Sequence, residues 1–196
     1  MIYRSIALLF FTCFLGTISS GNCQDNLKYT RIACVGDSIT HGGYPKLLKE
    51  LFNNKVEVGN FGVSGSTLLN SGNKPYQKQP AFQSALEFKP DCVTIMLGTN
   101  DSKPGNWQHK DSFISDYKDL IQKFRDLPTH PKIYICYPPF VPGAGNYGIN
   151  EAGVEEAMKY IDEIAKSENL EIIDMHSPLI QHEDLFADRV HPTQAG

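Results

Sequence analysis

Arg31-Ile32-Ala33-Cys34-Val35-Gly36-Asp37-Ser38-Ile39-Thr40 is the stretch whose reading decides the fold. Past Arg31 the run is apolar without polar alternation, as in a strand of a parallel sheet covered on both faces. Gly36 allows a tight turn, and Ser38 then stands at the start of a helix, where orphan N–H groups favour an anion. Working outward, four more runs carry the strand pattern: Lys55–Asn60, Cys92–Leu97, Lys132–Tyr137 and Leu170–Asp174. Between them lie helical stripes. Tyr44, Leu47, Leu48, Leu51 and Phe52 repeat at helical spacing, as do Phe113, Tyr117, Leu120, Ile121 and Phe124 behind an Asp111 or Ser112 cap. Val154, Ala157, Met158, Ile161, Ile164 and Ala165 form a third stripe, and a shorter helix is predicted over Pro80–Phe88. Strands alternating with helices predict a three-layer α/β/α domain on a five-stranded parallel sheet.

A chain of 196 residues with 41% hydrophobic content suits one domain, predicted over residues 30–196. The net charge of −4 comes without a block of like charges, which gives no reason to expect a nucleic-acid partner. Residues 1–23 belong to another category. Arg4 precedes an apolar run from Ile6 to Ile18 and then Ser19, Ser20, Gly21 and Asn22, the order of a secretory signal peptide. A secreted protein is therefore expected, cut between Ser20 and Gln24, with no stable membrane insertion afterwards, since the run is shorter than the roughly 20 residues a span needs. Cys13 lies in this leader and Cys23 at its boundary. Cys34, Cys92 and Cys136 fall inside strand patterns and are predicted to be small buried hydrophobes rather than disulfide partners. No Cys–His spacing suggests a metal site, and no cofactor is expected.

Four segments carry chemistry: Gly36-Asp37-Ser38-Ile39-Thr40, Gly59-Asn60-Phe61-Gly62-Val63-Ser64-Gly65, Gly98-Thr99-Asn100-Asp101 and Asp188-Arg189-Val190-His191-Pro192. The first three each follow a predicted strand, so they converge on the carboxyl edge of the sheet, where such folds place their ligand crevice. Ser38 is a hydroxyl nucleophile in waiting. Gly62 offers an N–H free of side-chain obstruction, and Asn100 offers a side-chain amide. Asp188 precedes His191 by three residues, so one turn can bring the carboxylate to one ring nitrogen while the other faces Ser38. This is the parts list for acyl transfer from an ester. Each residue alone also has an ordinary role: Ser38 as a helix cap, Gly62 as a turn glycine, Asn100 in an Asx turn. Ser64 and Asp101 are expected to brace their loops. His41, close to Ser38, has nothing nearby to orient its ring, and His109, His130, His176 and His182 read as surface or satisfied histidines.

The four blocks, in this order, resemble those of the SGNH (GDSL-type) hydrolase superfamily, from about Arg31 to the chain end. The resemblance implies a flavodoxin-like fold and a metal-independent serine esterase. It makes Ser38, Asp188 and His191 catalytic and assigns the oxyanion hole to the Ser38 N–H, the Gly62 N–H and the Asn100 side chain. The sequence around Lys74-Pro75-Tyr76 and Asp101–Trp107 is similar to branches that remove acetyl groups from carbohydrates. Tyr76 and Trp107, rings with a polar handle suited to stacking on a sugar, are expected to bind substrate, with Tyr137 and Tyr147 as further aromatic candidates; loops 70–79 and 138–148 are expected to line the pocket. The expected partner is a small-molecule or carbohydrate ester. Alternatives are a lysophospholipase or acyl-thioesterase, and a catalytically silent carbohydrate-binding module. The resemblance also implies a closing C-terminal helix after His191, which the domain is expected to lack. Oligomeric state is not read from these residues.

Overall fold

The computed structural model describes residues 28–196, so the expected leader over 1–23 lies outside the described residues. Five parallel strands form the sheet: β1 Arg31–Gly36, β2 Glu57–Gly62, β3 Cys92–Met96, β4 Lys132–Cys136 and β5 Glu171–Ile173, in the order β2-β1-β3-β4-β5. The helices are α1 Ser38–His41, α2 Tyr44–Leu51, α3 Pro80–Glu87, α4 Pro104–Trp107, α5 Phe113–Arg125 and α6 Glu151–Glu168, with short 3-10 turns between them. The α/β fold class expected from strand–helix alternation is the one observed.

Residue alternation explains why both faces are covered. In β1, Ala33 and Val35 point to one side and Ile32 and Cys34 to the other. Val93, Ile95, Ile133 and Ile135 join Ala33 on the first face, against Phe82 of α3, Phe113, Tyr117, Leu120 and Phe124 of α5, and Ile161 and Ile164 of α6. Cys92, Met96, Tyr134 and Cys136 join Ile32 on the second, against Leu48 of α2 and Phe52 just after it. Each fully buried Phe or Leu here stabilises the fold by about 1.5–3 kcal/mol of transfer free energy. Leu120→Ala, at a position with no exposure, is expected to cost about 2–5 kcal/mol. Cys34, Cys92 and Cys136 are buried and in no disulfide among the described residues, as their apolar setting predicted.

Local signals set the helix ends. The Asn150 side chain accepts from Gly153 N–H at 3.0 Å at the start of α6, and Asn169, at φ 52°, closes it in the left-handed conformation. Ser112 does occupy the N-cap position of α5 but makes no side-chain cap bond. The boundary that matters most is the end of β2. The pattern placed this strand over Lys55–Asn60, whereas it runs to Gly62, which pairs with Gly36 in the register. The functional loop therefore begins at Val63. Among the described residues no helix is long and apolar enough to cross a membrane.

Candidate active site

Ser38 is brought to the sheet edge by the β1–α1 turn. Asp37 caps α1, its carboxylate accepting from Ile39 N–H at 2.9 Å, and this fixes the turn that carries the Ser38 hydroxyl. The loop after the Glu183–Leu185 turn delivers His191 from the far end of the chain. Ser38 Oγ lies 2.8 Å from His191 Nε2, and His191 Nδ1 lies 2.6 Å from Asp188 Oδ2. The other oxygen of Asp188 accepts from the backbone N–H groups of His191 and Val190 at 2.8 and 3.0 Å. Burial works to raise the Asp188 carboxyl, but these N–H groups and the His191 ring outweigh it and hold it at about 2. Asp188 is thus ionised wherever His191 is asked to accept a proton. A hydroxyl, an imidazole and a carboxylate in line can deprotonate the hydroxyl as it attacks an acyl carbon.

Two N–H sources stand ready for the negative oxygen that such an attack creates. The Ser38 N–H makes no hydrogen bond within the described residues. Asn100 is buried and gives one Nδ2 hydrogen to Asp37 Oδ2 at 3.3 Å, which orients the amide. Gly62 departs from expectation. It ends β2 rather than lying in the loop, and its N–H donates to Asn60 Oδ1 at 3.0 Å. A Cβ on Gly62 would sit 2.2 Å from His41 N, so glycine is needed there for close packing of the strand end against α1. The oxyanion-donor assignment of Gly62 is corrected on these grounds. Gly65, three residues on, has φ 78°, a conformation that favours glycine, and its N–H makes no hydrogen bond within the described residues. It follows Ser64, which borders the same cavity as Ser38 and His191. The sequence held both glycines. Only the true end of β2 separates them.

The loop that carries Gly65 is locked down by buried polar groups. Asp101, with no exposure, accepts from Leu68 and Leu69 N–H at 2.9 and 2.8 Å. Asn106 accepts from Asn73 N–H at 2.9 Å and donates to Asn73 Oδ1 at 3.1 Å and Asn100 O at 2.8 Å. One side chain therefore joins the Asn100 segment to the Gly65 loop. Asp101 braces as expected, while the role of Asn106 had no signal beyond residue type. Burial raises Asp101 to about 7 against the Leu69 and Leu68 N–H groups, and raises Asp37 to about 6 against the Ile39 N–H.

A cavity of about 690 Å³ opens beside Ser38 and His191. Its walls come from α2 (Leu47, Leu48, Leu51), from Met175, Pro178 and Leu179, and from the segment 192–196 that follows His191, not from loop 70–79, which contributes nothing, or loop 138–148, which contributes Pro139. Tyr76 and Trp107 are not on it. Tyr76 is fully buried, with its hydroxyl donating to Phe61 O at 2.8 Å, and Trp107 packs edge-on to Phe113 and Tyr160. Both expected substrate contacts are corrected: these rings serve the core that supports the loops, and a ring buried on all sides cannot stack on a sugar. Tyr137 donates to Asp162, away from the triad. Tyr147 behaves otherwise. It is exposed, its ring centroid lies 6.1 Å from that of His191, and its hydroxyl reaches Asp188 Oδ2 at 3.3 Å. His176, buried, is satisfied by Glu151 at 2.7 Å. His41 borders the cavity, with no carboxylate paired to its ring among the described residues. No cluster of three or more His, Cys, Asp or Glu side chains suited to a metal ion occurs among the described residues.

Comparison with known proteins places this geometry among relatives. The model of the GDSL-like Lipase/Acylhydrolase family matches residues 34–196. The chain is 38% identical to an acetylxylan esterase of Xylanibacter ruminicola, over 85% of this chain and 40% of that protein. It thus spans well under half the length of the curated relative it matches. Among solved structures, the acetyl xylan esterase AlAXEase superposes with a TM-score of 0.67 at 22% identity, covering 85% of this chain and 93% of that one. A lipase/acylhydrolase from Enterococcus faecalis gives 0.68 at 23%, covering 85% and 89%. Est24, a carbohydrate acetylesterase from Sinorhizobium meliloti, gives 0.63 at 15%, covering 85% and 92%. At these identities the solved structures speak for the fold.

Proposed function

We propose, from the premise that this chain belongs to the GDSL-like Lipase/Acylhydrolase family, that it hydrolyses carboxylic esters, and acetyl esters of carbohydrate in particular. The observation that carries the reaction is the unbroken relay from Ser38 Oγ to His191 Nε2 at 2.8 Å and from His191 Nδ1 to Asp188 Oδ2 at 2.6 Å. Ser38 attacks the ester carbonyl while His191 takes its proton and Asp188 stabilises the imidazolium. The oxyanion is held by the Ser38 N–H, the Gly65 N–H and the Asn100 amide. His191 then protonates the departing alcohol, and a water, deprotonated by the same ring, releases the acyl group from Ser38.

Support for acetylated carbohydrate as substrate is the acetylxylan esterase relative, 38% identical. Export from the cell goes with it, since acetylated polysaccharide is too large to enter, and the basic, apolar, small-residue order of residues 1–23 is that of an export signal. A longer acyl chain is the second reading, favoured by the apolar walls that Leu47, Leu48, Leu51 and Leu179 give the cavity beside Ser38. The test is kcat/KM across p-nitrophenyl acetate, butyrate, octanoate and palmitate, then acetyl release from acetylated xylan. Acetate first and the polysaccharide hydrolysed is the expected result. A kcat/KM that climbs with chain length makes the enzyme a lipase-like acylhydrolase.

A further inference from the structure

Gly65 carries an N–H that is free, on a residue whose own backbone does little to hold it in place. Glycine populates positive and negative φ with similar ease, so the Ser64–Gly65 peptide can turn over at low steric cost. Turned over, it would present a carbonyl oxygen to the developing oxyanion instead of an N–H, and repulsion would replace stabilisation. Something must hold that peptide. Among the described residues the one side chain found on it is Lys74, whose Nζ donates to Ser64 O at 2.9 Å and whose Cδ lies 3.9 Å from where a Gly65 Cβ would stand.

We propose that Lys74 is a positioning residue of the oxyanion hole, its ammonium pinning the Ser64 carbonyl so that the N–H of the same peptide faces the reacting oxygen. The proposal rests on the assignment of Gly65 as a donor. In a trans peptide the C=O and N–H point in opposite directions, so fixing one fixes the other, and no described peptide bond is cis. A hydrogen bond from an ammonium is stronger than one between neutral groups, and it polarises the peptide so that its N–H donates better.

Lys74 is itself well placed to do this. Its carbonyl accepts from Thr67 N–H at 2.9 Å, and its neighbour Asn73 is gripped by Asn106, which also holds Asn100 O at 2.8 Å. Lys74 and Asn100 are therefore built on one frame. The side chain that aims the Gly65 N–H and the side chain that supplies its own amide move together. Lys78 and Lys123, the other lysines of this side, bond Asn70 O and the Gln77 and Asp119 side chains, so neither substitutes for Lys74.

The experiment is steady-state hydrolysis of p-nitrophenyl acetate, a neutral ester, by the wild-type chain, Lys74→Met, Lys74→Arg and Ser38→Ala, with thermal melting of each. Lys74→Met keeps the stem and removes the charge. It is expected to lower kcat about tenfold, less than the 10²–10³ of a deleted donor, with KM within about twofold and an unchanged melting temperature. Lys74→Arg, which restores a cation, should recover most of the loss. A kcat for Lys74→Met within about twofold of wild type, or a loss carried by KM or matched by melting, overturns the proposal. If wild type is active, Ser38→Ala is dead and Lys74→Met is normal, the hydrolase reading stands and only this inference fails. A wild-type chain without ester hydrolysis removes both, since there is then no oxyanion to serve.

Discussion

The two halves of the site are built on opposite principles. On the oxyanion side, Ser66 to Leu69 are fully buried, and Asp101 and Asn106 hold the Gly65 loop against the Asn100 segment with buried or half-buried bonds, while Lys74 adds an exposed bond to Ser64 O within the loop. On the His191 side, the chain from Glu183 onward is a single 3-10 turn followed by irregular loop, and the His191 side chain keeps 38% of its exposure. Its bonds are mostly local, two N–H groups within three residues holding Asp188 and Asp188 holding His191, with Asn146 and Tyr147 reaching Asp188 from the facing loop at 3.2 and 3.3 Å. The difference follows from the work. Donors stabilise an oxyanion only if they do not reorganise when charge appears, so their frame is packed and polar groups are satisfied inside it. In the proposed reaction His191 has to reach both the leaving alcohol and the attacking water, and its ring accordingly borders the open cavity.

The largest effect that can break this contrast is loss of a reacting group. Ser38→Ala and His191→Ala are each expected to lower kcat by at least about 10⁴-fold with melting temperatures near wild type, because neither side chain supports the core. Asp188→Asn should cost less than His191→Ala, since Asp188 orients and stabilises without reacting. Steady-state kinetics on an aryl acetate read both.

Next in size is the preorganised side. Asn100→Ala should lower kcat about 10²–10³-fold while KM moves little, because its amide bonds charge that exists only in the transition state. The two glycines sharpen the point. Gly62→Ala forces a methyl against His41 N, and should show as a lowered melting temperature. Gly65→Ala places a side chain at φ 78°, a strain of about 1–2 kcal/mol, and should show in kcat beyond any change in melting. If Gly62→Ala alters kcat without altering stability, the donor assignment reverts to Gly62.

Much of this was legible in the residues, and the pattern of failure has a cause. Strands β1, β3 and β4 are buried on both sides and read as continuous apolar runs, so their ends came out within a residue or so. β2 is an edge strand of Glu, Gly and Asn with exposed positions, and its hydrophobic signal stopped two residues early. That displacement made Gly62 a loop residue. The Ser38, Asn100, Asp188 and His191 blocks were readable because each needs a particular functional group next to a turn. Tyr76 and Trp107 were misplaced because an aromatic residue with a polar handle is equally suited to a crevice and to a core that offers a carbonyl, and Phe61 O sits where the Tyr76 hydroxyl can find it. The cavity walls on α2 were present in the Leu47, Leu48, Leu51 stripe but indistinguishable from ordinary core packing.

A smaller effect separates the halves by pH. Asp101 in the folded chain is raised to about 7 by burial, above the roughly 3.9 of an exposed Asp. Its neutral form is favoured by folding, so its contribution is fully present below about pH 4 and is lost as pH rises through about 7. Asp188, held at about 2, works in the other direction: its contribution is present above about pH 4 and is lost only as pH falls through 2. Between pH 5 and 8 the melting temperature should therefore fall by a few degrees, through Asp37 up to about pH 6 and through Asp101 up to about pH 7, and Asp101→Asn should reduce that slope, most clearly above pH 6, while Asp188→Asn leaves it in place. Equal slopes in wild type and Asp101→Asn would contradict a strained carboxylate under the Gly65 loop.

The central claim is that Ser38 becomes acylated and His191 drives its turnover. Mass spectrometry of proteolysed enzyme, quenched after mixing with p-nitrophenyl acetate, reads it directly. His191→Ala mixed with a large excess of ester should slowly accumulate one acetyl group on the Ser38 peptide, wild type should show it only transiently, and Ser38→Ala should show none. Acetyl on another residue, or a Ser38 peptide that stays unlabelled in His191→Ala while that variant still consumes the ester, would contradict the account.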